Sequence, residues 1–467
     1  MHKICNMSLQ QGIFPQCLKT ARIIPVYKSG EKSKVNNYRP ISILCAFGKI
    51  LEKIVSAQLE SYLNENNILT ANQFGYRRGV STENAVQKLL SHVYEAFDKG
   101  EFVLNIFLDL SKAFDVVNRQ YLLYKLKRYG VNENELSWFT SYLDDRHQFT
   151  CINGNSSTVL SVQRGVPQGS ILGPLLFIVY INDICNSSDY FKFIMYADDT
   201  SLLVSSNNIV EMLSHSNVEL RNVMNWFASN ELIVNQGKTK FMIFTRKKQL
   251  PATIPEICVA NSPIERIYSY KFLGVTLDVS LKFKQHVSDI ARKISKFVPL
   301  IYRIRSFLNR KLLLQIYSGL IYPNLIYCIT AWGSTNESVI KILQAAQNKI
   351  VRAICDADRL CRSDPLFSQL KMFNIRKVYQ YMVCNYVHKS LAKSESQFSY
   401  QINNYNTRQA QNRLLTIPFT RSSHTMKSLS LSGPRNYNAL PLTVKESKTF
   451  ATFKKRLRDH MWLQYAS

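Results

Sequence analysis

FKFIMYADDTSLLVS, residues 191–205, is the stretch on which the reading of the fold turns. Two apolar runs, 191–196 and 201–205, flank Ala197-Asp198-Asp199-Thr200, and each has the length and residue content of a strand. The reading is a hairpin with two carboxylates at its tip. Adjacent carboxylates in an apolar setting raise each other's pKa unless a cation neutralises them. An Asp-Asp pair by itself is most often an exposed turn, so a second acidic strand end carries weight. It stands in FLDLSKAFD (107–115), where Asp109 lies at the end of an apolar strand read over 102–110. If that strand lies beside the hairpin, Asp109 and Asp198 can bridge two divalent ions about 4 Å apart. Oxygen-only donors select hard ions, Mg²⁺ first. Phosphoryl transfer needs mainly such positioning and charge neutralisation.

Working outward, Ser81 caps a helix whose apolar stripe is Val86, Leu89, Leu90, Val93 and Phe97, ending at Gly100. Residues 119–129 and 209–229 read as helices, and 241–245 and 272–277 as short strands. Residues 1–50 read as short strands and turns, with Gly30, Asn36-Asn37 and Pro40 as breakers. Beyond about 280 the period turns helical. The fold class is therefore α+β, followed by a mostly α region.

The 467 residues carry 59 Lys and Arg against 32 Asp and Glu, a formal charge of +27. The excess is uneven: residues 1–278 hold 29 basic and 24 acidic side chains, residues 279–467 hold 30 and 8. So basic a second part repels itself or meets a polyanion, and nucleic acid is the usual one. At 46% hydrophobic residues, a disordered chain is excluded, as are fibrous and collagenous classes. Ten cysteines without a CxxC pair fit a reduced intracellular compartment better than a disulfide framework. Polar residues throughout 1–18 argue against a signal peptide. Residues 312–332 are nearly long enough to span a bilayer, but Gln315, Ser318, Pro323 and Asn324 interrupt them. A buried helix pair broken near Pro323 is expected, with no membrane partner. Arg246-Lys247-Lys248 is too short to stand as a nuclear import signal, and Cys355, Cys361, Cys384 and His388 are too irregularly spaced for a zinc site.

Seven segments in order, NYRPISIL (37–44), QFGYRRGVST (73–82), FLDLSKAFD (107–115), RGVPQGSILGPLLFIVYIND (164–183), YADD (196–199), NQGKTKFMIF (235–244) and KFLGVTLD (271–278), resemble a reverse transcriptase of the non-LTR, LINE-type, jockey-like retrotransposon family. The resemblance is strongest over 15–280. It implies a right-hand polymerase: fingers and palm over 1–278, a helical thumb over 279–350, and a basic C-terminal region of open role over 351–467. It implies RNA-directed DNA synthesis, with an RNA template, a DNA primer and dNTPs as partners. Two Mg²⁺ ions are implied, Mn²⁺ being a substitute. Asp109, Asp198 and Asp199 match the catalytic carboxylates, and the backbone of Leu110 completes a metal shell.

Phe114 matches the bulky residue that closes off the sugar 2′ position. Gln168 and Gly169 match the nucleotide pocket, Lys28 and Arg39 a triphosphate clamp, and Lys238 a lysine near the leaving pyrophosphate. Arg77 and Arg78 match template contacts. Tyr196 leads the YADD segment, and Phe272, Leu273 and Gly274 match a hairpin that grips the primer end. The endonuclease expected upstream in such elements is missing, which implies a fragment, a truncated copy or a misassigned start. An alternative follows: a catalytically silent remnant that binds RNA. A metal nuclease using the same aspartates is a third reading. Lys454, Lys455, Arg456 and Arg458 either bind RNA or form a solvated helix face. The element type implies copying in the nucleus with a cytoplasmic, RNA-bound stage. Oligomeric state is open.

Overall fold

The computed structural model describes residues 2–247, 251, 253–393, 396–401, 413–422 and 424–466. Lys248 thus lies outside the described residues. The chain starts with helix α1 (His2–Gln11), where short strands and turns are expected. The expected breakers all come after residue 28, so nothing interrupts the first ten. Buried Ser8 accepts a hydrogen bond from Trp138 Nε1 at 3.1 Å, which fixes the helix on its neighbours. Strands β1 (Thr20–Tyr27) and β2 (Tyr38–Ile43) pair antiparallel, and β1 continues in parallel to β4 (Arg146–Ile152). β5 (Asn155–Ser156) and β6 (Leu160–Val162) complete this outer sheet.

The central sheet has the order β12-β9-β3-β8-β7. Its strands are β3 (Phe102–Leu108), β7 (Lys192–Tyr196), β8 (Asp199–Ser206), β9 (Lys240–Phe244) and the short β12 (Glu265–Arg266). β10 (Cys258–Val259) and β11 (Ser262–Pro263) form a small separate hairpin. β3 runs antiparallel to both β8 and β9, with Leu108 opposite Thr200. One further step along that register brings Asp109 level with Asp199, the adjacency that the two acidic strand ends require.

Side chains alternate across the sheet with a period of two. Leu104, Ile106, Leu202, Phe193 and Ile243 face a core shared with helices α2 (Ala46–Glu65), α5 (Arg119–Arg128), α6 (Glu133–Leu143), α7 (Gly173–Tyr180) and α8 (Ile209–Ser229). Val103, Phe107, Ile194, Leu203 and Phe244 face the other core. That second core is built on α3 (Thr82–Lys99). Ser81 Oγ accepts from Asn84 N at its start, and Gly100 (φ 75) closes it in a left-handed cap. The short turn α4 (Ala113–Val116) follows β3.

Residues 269–278 correct the periodicity reading of one strand over 272–277 and hold the hairpin that the resemblance implies at Phe272, Leu273 and Gly274. They form a hairpin, β13 (Ser269–Phe272) and β14 (Val275–Asp278), because Leu273 (φ 43) and Gly274 (φ 85) make a two-residue turn of positive φ. Helices follow: α9 (Lys284–Ser295), α10 (Phe297–Ile304), α11 (Arg310–Ile316), a π turn at Tyr317–Ile321, α12 (Tyr322–Ile326), α13 (Ile329–Trp332), α14 (Glu337–Cys355), α15 (Asp364–Gln369), α16 (Ile375–Leu391), α17 (Leu429–Asn438), α18 (Leu442–Lys445) and α19 (Phe450–Ala466).

The break expected near Pro323 falls four residues on, at Tyr327-Cys328, where Cys328 has φ +47. Pro323 sits in the first turn of α12, where its missing N–H costs nothing. Among the described residues no helix is long and apolar enough to cross a membrane. Among the described residues the helical region has no core of its own. Its apolar residues merge with those of α3 and the sheet.

Candidate active site

The β7–β8 turn is tighter than its sequence suggests. Tyr196 pairs with Asp199, so the turn is Ala197 (φ 55) and Asp198 alone. Asp198 stands at the tip, and Asp199 is the first residue of β8. The tip is held from outside by residues 72–75. Gln73 Oε1 accepts from Ala197 N at 3.0 Å and from Gly75 N at 2.7 Å. Phe74 N donates to Met195 O, and Met195 N to Asn72 O, at 2.8 and 2.9 Å. A Cβ on Gly75 would meet Ala197 N at 2.3 Å, so only glycine lets the two backbones approach this closely.

Asp109 is fixed by a different loop. Asn235 N donates to Asp109 O at 2.7 Å, and Asp109 N to Thr239 Oγ1 at 3.4 Å. Ser111 N reaches Ile233 O at 2.8 Å, with Leu110 bridged to Val234. The same loop carries Lys238, whose Nζ stands 3.6 Å from Asp109 Oδ2. That oxygen is buried and has no hydrogen bond.

Asp109 and Asp198 open into one cleft of about 1270 Å³. Leu110, Phe114, Gln168 and Lys238 line it from the central sheet side, and Lys28 and Arg39 from the β1–β2 hairpin. Phe114 stacks on Phe177 with ring centres 4.6 Å apart, and Tyr76 meets its edge at 6.3 Å. The segment before Gln168 is strapped to it: Val166 N donates to Phe114 O at 2.9 Å. Gly165 (φ +83) lies so close to the Asp115 backbone that a Cβ would approach it to 2.6 Å. Arg119 Nε and Nη1 hold the carbonyls of Gly165 and Val162. Gly169 has φ +125 and would drive a Cβ to 2.5 Å from Ser42 O, which ties this loop to β2. Gln168 O accepts from Ser42 N at 2.8 Å, and its side-chain Oε1 is buried without a partner.

Electrostatically the acidic corner is under stress. Burial, then the charge of Asp109, pushes the Asp198 carboxyl above the usual range, while Arg39 and Lys28 pull it back. Asp199 rises to about 6, chiefly through desolvation, then through Asp198 and Asp109. Among the described residues no three His, Cys, Asp or Glu side chains close on a cation by themselves. Asp109 and Asp198 alone of the three aspartates line the cleft. A buried carboxylate oxygen that accepts no hydrogen bond and has only Lys238 at 3.6 Å, beside two mutually repelling carboxyls, still fits a hard divalent ion. Mg²⁺ commonly takes one or two protein carboxylates and completes its shell with water and substrate phosphate.

The remaining expected residues sit around this cleft without lining it. Arg77 Nη1 is spent on Thr70 O (2.7 Å) and Gln73 O, buttressing the loop that holds the hairpin. Arg78 pairs with Glu60 at 3.1 Å. Leu273 O accepts from Tyr327 Oη at 2.7 Å, and a Cβ on Gly274 would meet the Tyr327 ring at 2.9 Å. Phe272 is buried beside Phe107. Tyr196 is half-buried, packed against the same core. Gln73, Asn235 and Tyr327 are not readable as site residues from local pattern, although Gln73 lies in QFGYRRGVST and Asn235 opens NQGKTKFMIF. Cys384 is buried in the core and His388 stacks on Phe453 at 3.7 Å, and among the described residues no group of three His, Cys, Asp or Glu side chains is gathered there.

Residues 28–277 match the family described as reverse transcriptase (RNA-dependent DNA polymerase). Among curated proteins the chain is 32% identical over 394 residues to a probable RNA-directed DNA polymerase from transposon BS of Drosophila melanogaster. That alignment covers 80% of this chain and 42% of the relative. It is 29% identical over 381 residues to the RNA-directed DNA polymerase from mobile element jockey of the same fly, covering 79% and 41%. The chain thus spans about two fifths of the length of the curated relatives it matches. Apo telomerase from Candida tropicalis gives a TM-score of 0.43 at 12% identity, over 84% of this chain and 71% of that one.

Proposed function

The chain belongs to the reverse transcriptase (RNA-dependent DNA polymerase) family, and from that premise we propose that it extends a DNA primer with deoxynucleotides along an RNA template, releasing pyrophosphate. The observation that carries the reading is the convergence of Asp109 and Asp198 on one cleft that Lys28, Arg39, Phe114 and Gln168 also line. Reverse transcriptases use divalent metal ions. Asp109, Asp198 and Asp199, with the carbonyl of Leu110, would hold two Mg²⁺ or Mn²⁺ here. Such ions, when bound, neutralise charge on the attacking hydroxyl and the departing pyrophosphate.

The chain's own residues supply the rest. Arg39 suits bidentate contact with phosphate and Lys28 a point charge, so the β1–β2 hairpin grips the triphosphate. Phe114, backed by Phe177, presents a ring where a ribose 2′-hydroxyl would stand. Gly169 allows backbone to lie close to the nucleotide. Lys238, close to Asp109, carries a proton for the leaving group. The Leu273-Gly274 turn, buttressed by Tyr327, supports the primer end.

Primer extension by the purified chain on an RNA template, with four dNTPs and Mg²⁺, tests the proposal. Template-dependent extension supports it. Retained RNA binding with no extension under Mg²⁺ or Mn²⁺ would replace it with the silent-remnant reading.

A further inference from the structure

A second cleft, of about 800 Å³, opens among the C-terminal helices, and no residue lines both it and the cleft of the aspartates. Its walls are α11–α12, α16 and α19, and it ends at the loop ahead of α3. On α19 the residues that face it fall every fourth position, Phe450, Lys454, Arg458 and Trp462, which is one side of a helix. The other basic residues of that helix look elsewhere: Arg456 Nη1 donates to Thr443 O at 2.7 Å, and Lys455 does not line the cleft. The C-terminal basic cluster is thereby sorted into two faces.

The lining has five basic side chains, Lys371, Lys389, Lys393, Lys454 and Arg458, and one acidic, Glu83. One carboxyl against five cations leaves the lining basic, although Lys389 lies close enough to pull the Glu83 carboxyl back down. Burial holds its carboxyl above the ordinary range, and it accepts a hydrogen bond from Thr330 Oγ1. Lys389, Lys454 and Arg458 are exposed and make no ion pair among the described residues. Rings share the lining with these charges, and Lys454 Nζ lies 4.7 Å over the Phe450 ring. Tyr322, Tyr381 and Trp462 are half-buried. Trp462 stacks on Phe373 at 4.7 Å, and Phe373 packs on Tyr381 at 5.9 Å. A merely solvated helix face would have the lysines without the rings. A groove that can track a backbone with cations and offers ring faces beside them suits a single strand with unpaired bases. The π turn that forms part of one wall is a distortion frequently found at functional sites.

We propose that this groove binds single-stranded nucleic acid, phosphates on Lys389, Lys454 and Arg458 and bases against Tyr322, Tyr381 and Trp462. No catalytic carboxylate lines this groove.

The test uses the full chain and short fluorescent oligonucleotides, one RNA and one DNA, titrated at several salt concentrations, with a photoreactive uridine for cross-linking. K389Q/K454Q/R458Q together should weaken binding at least tenfold at low salt. The same variant should lower the slope of log affinity against log salt by about two, since each phosphate contact to a single strand adds roughly 0.7. Cross-links should fall on Tyr322, Tyr381 or Trp462. Trp462→Ala should weaken binding without changing the slope. Loss in the RNA arm alone, or in both arms, identifies the strand and supports the groove. Unchanged slope and affinity in the triple variant, cross-links confined to the Asp109 cleft, or equal competition by polyglutamate would overturn it. Thermal melting establishes that each variant is folded. Asp198→Asn should keep groove binding while losing extension, so failure of one reading is visible apart from the other.

Discussion

Asp198 stands alone at the turn of its hairpin, and its substitution is the sharpest single-residue test. Asp198→Asn should abolish primer extension while template affinity stays within about twofold. Extension at the parent rate would remove the metal-binding role. Asp199 offers a test that needs no substrate. Its folded pKa of about 6 lies above the ordinary 3.8, so its ionisation is disfavoured in the folded chain. The metal-free chain therefore loses stability as pH rises from about 4 to 6 and holds level above that. Asp198 shifts in the same direction. At pH 7.5 without metal, Asp199→Asn should raise the melting temperature by about 1–2 °C, a figure kept small because the side chain is partly solvated. At pH 4 the gain should vanish, and millimolar Mg²⁺ should narrow it at pH 7.5. Equal melting temperatures at every pH would show that the carboxyls are not in conflict. Phe114→Ala should raise ribonucleotide incorporation by about tenfold or more. Unchanged discrimination, with only a lower melting temperature, would leave Phe114 as packing against Phe177.

At the scale of elements, hairpins are positioned by segments remote in sequence. Gln73 holds Ala197 from 124 residues away, through one side-chain oxygen that serves two backbone N–H groups. Gln73→Ala leaves both donors buried without an acceptor, a loss of about 1–3 kcal/mol for each. Extension should fall by at least tenfold with template binding retained, and a wild-type rate would show that the tip holds itself. Gly169→Ala combines a forbidden φ with a collision against Ser42 O and should destabilise the chain by about 1–3 kcal/mol. These supports mark the limit of what sequence shows. β3, β7 and β8 are legible because apolar strands alternate around two acidic ends. α3 is legible because Ser81 and Gly100 punctuate it at both ends. A glutamine side chain that accepts from a distant backbone N–H leaves no local pattern to read. Nor does Tyr327 announce that it will carry the Leu273-Gly274 turn. Periodicity alone disguises the Leu-Gly turn as one strand, because apolar residues flank it, and only the resemblance points to a hairpin there.

At the scale of the molecule, charge and core are distributed differently. The charge shift near residue 278 was legible by counting, whereas the packing across it was not. α3 lies between the central sheet and the C-terminal helices and is tied to both. Gln87 Nε2 donates to Thr330 Oγ1 at 3.0 Å, Asn84 Nδ2 to Tyr386 Oη at 3.1 Å, and Asp98 Oδ1 accepts from Thr420 Oγ1 at 2.7 Å. Periodicity reveals that α3 has an apolar face but not which part of the chain covers it. Residues 1–278 alone should therefore expose that face, bind a hydrophobic dye and lack a cooperative melting transition. A cooperative transition like that of the full chain would show that the sheet side suffices. The α3 arrangement also sets a schedule for the ribosome. α3 is complete at Lys99, but its cover in α13 begins only at Ile329. At 5–20 residues per second the intervening chain takes roughly 10–50 s to emerge. For that interval a greasy helix waits in the nascent product, so chaperone supply and premature termination become selective pressures on any copy that is translated.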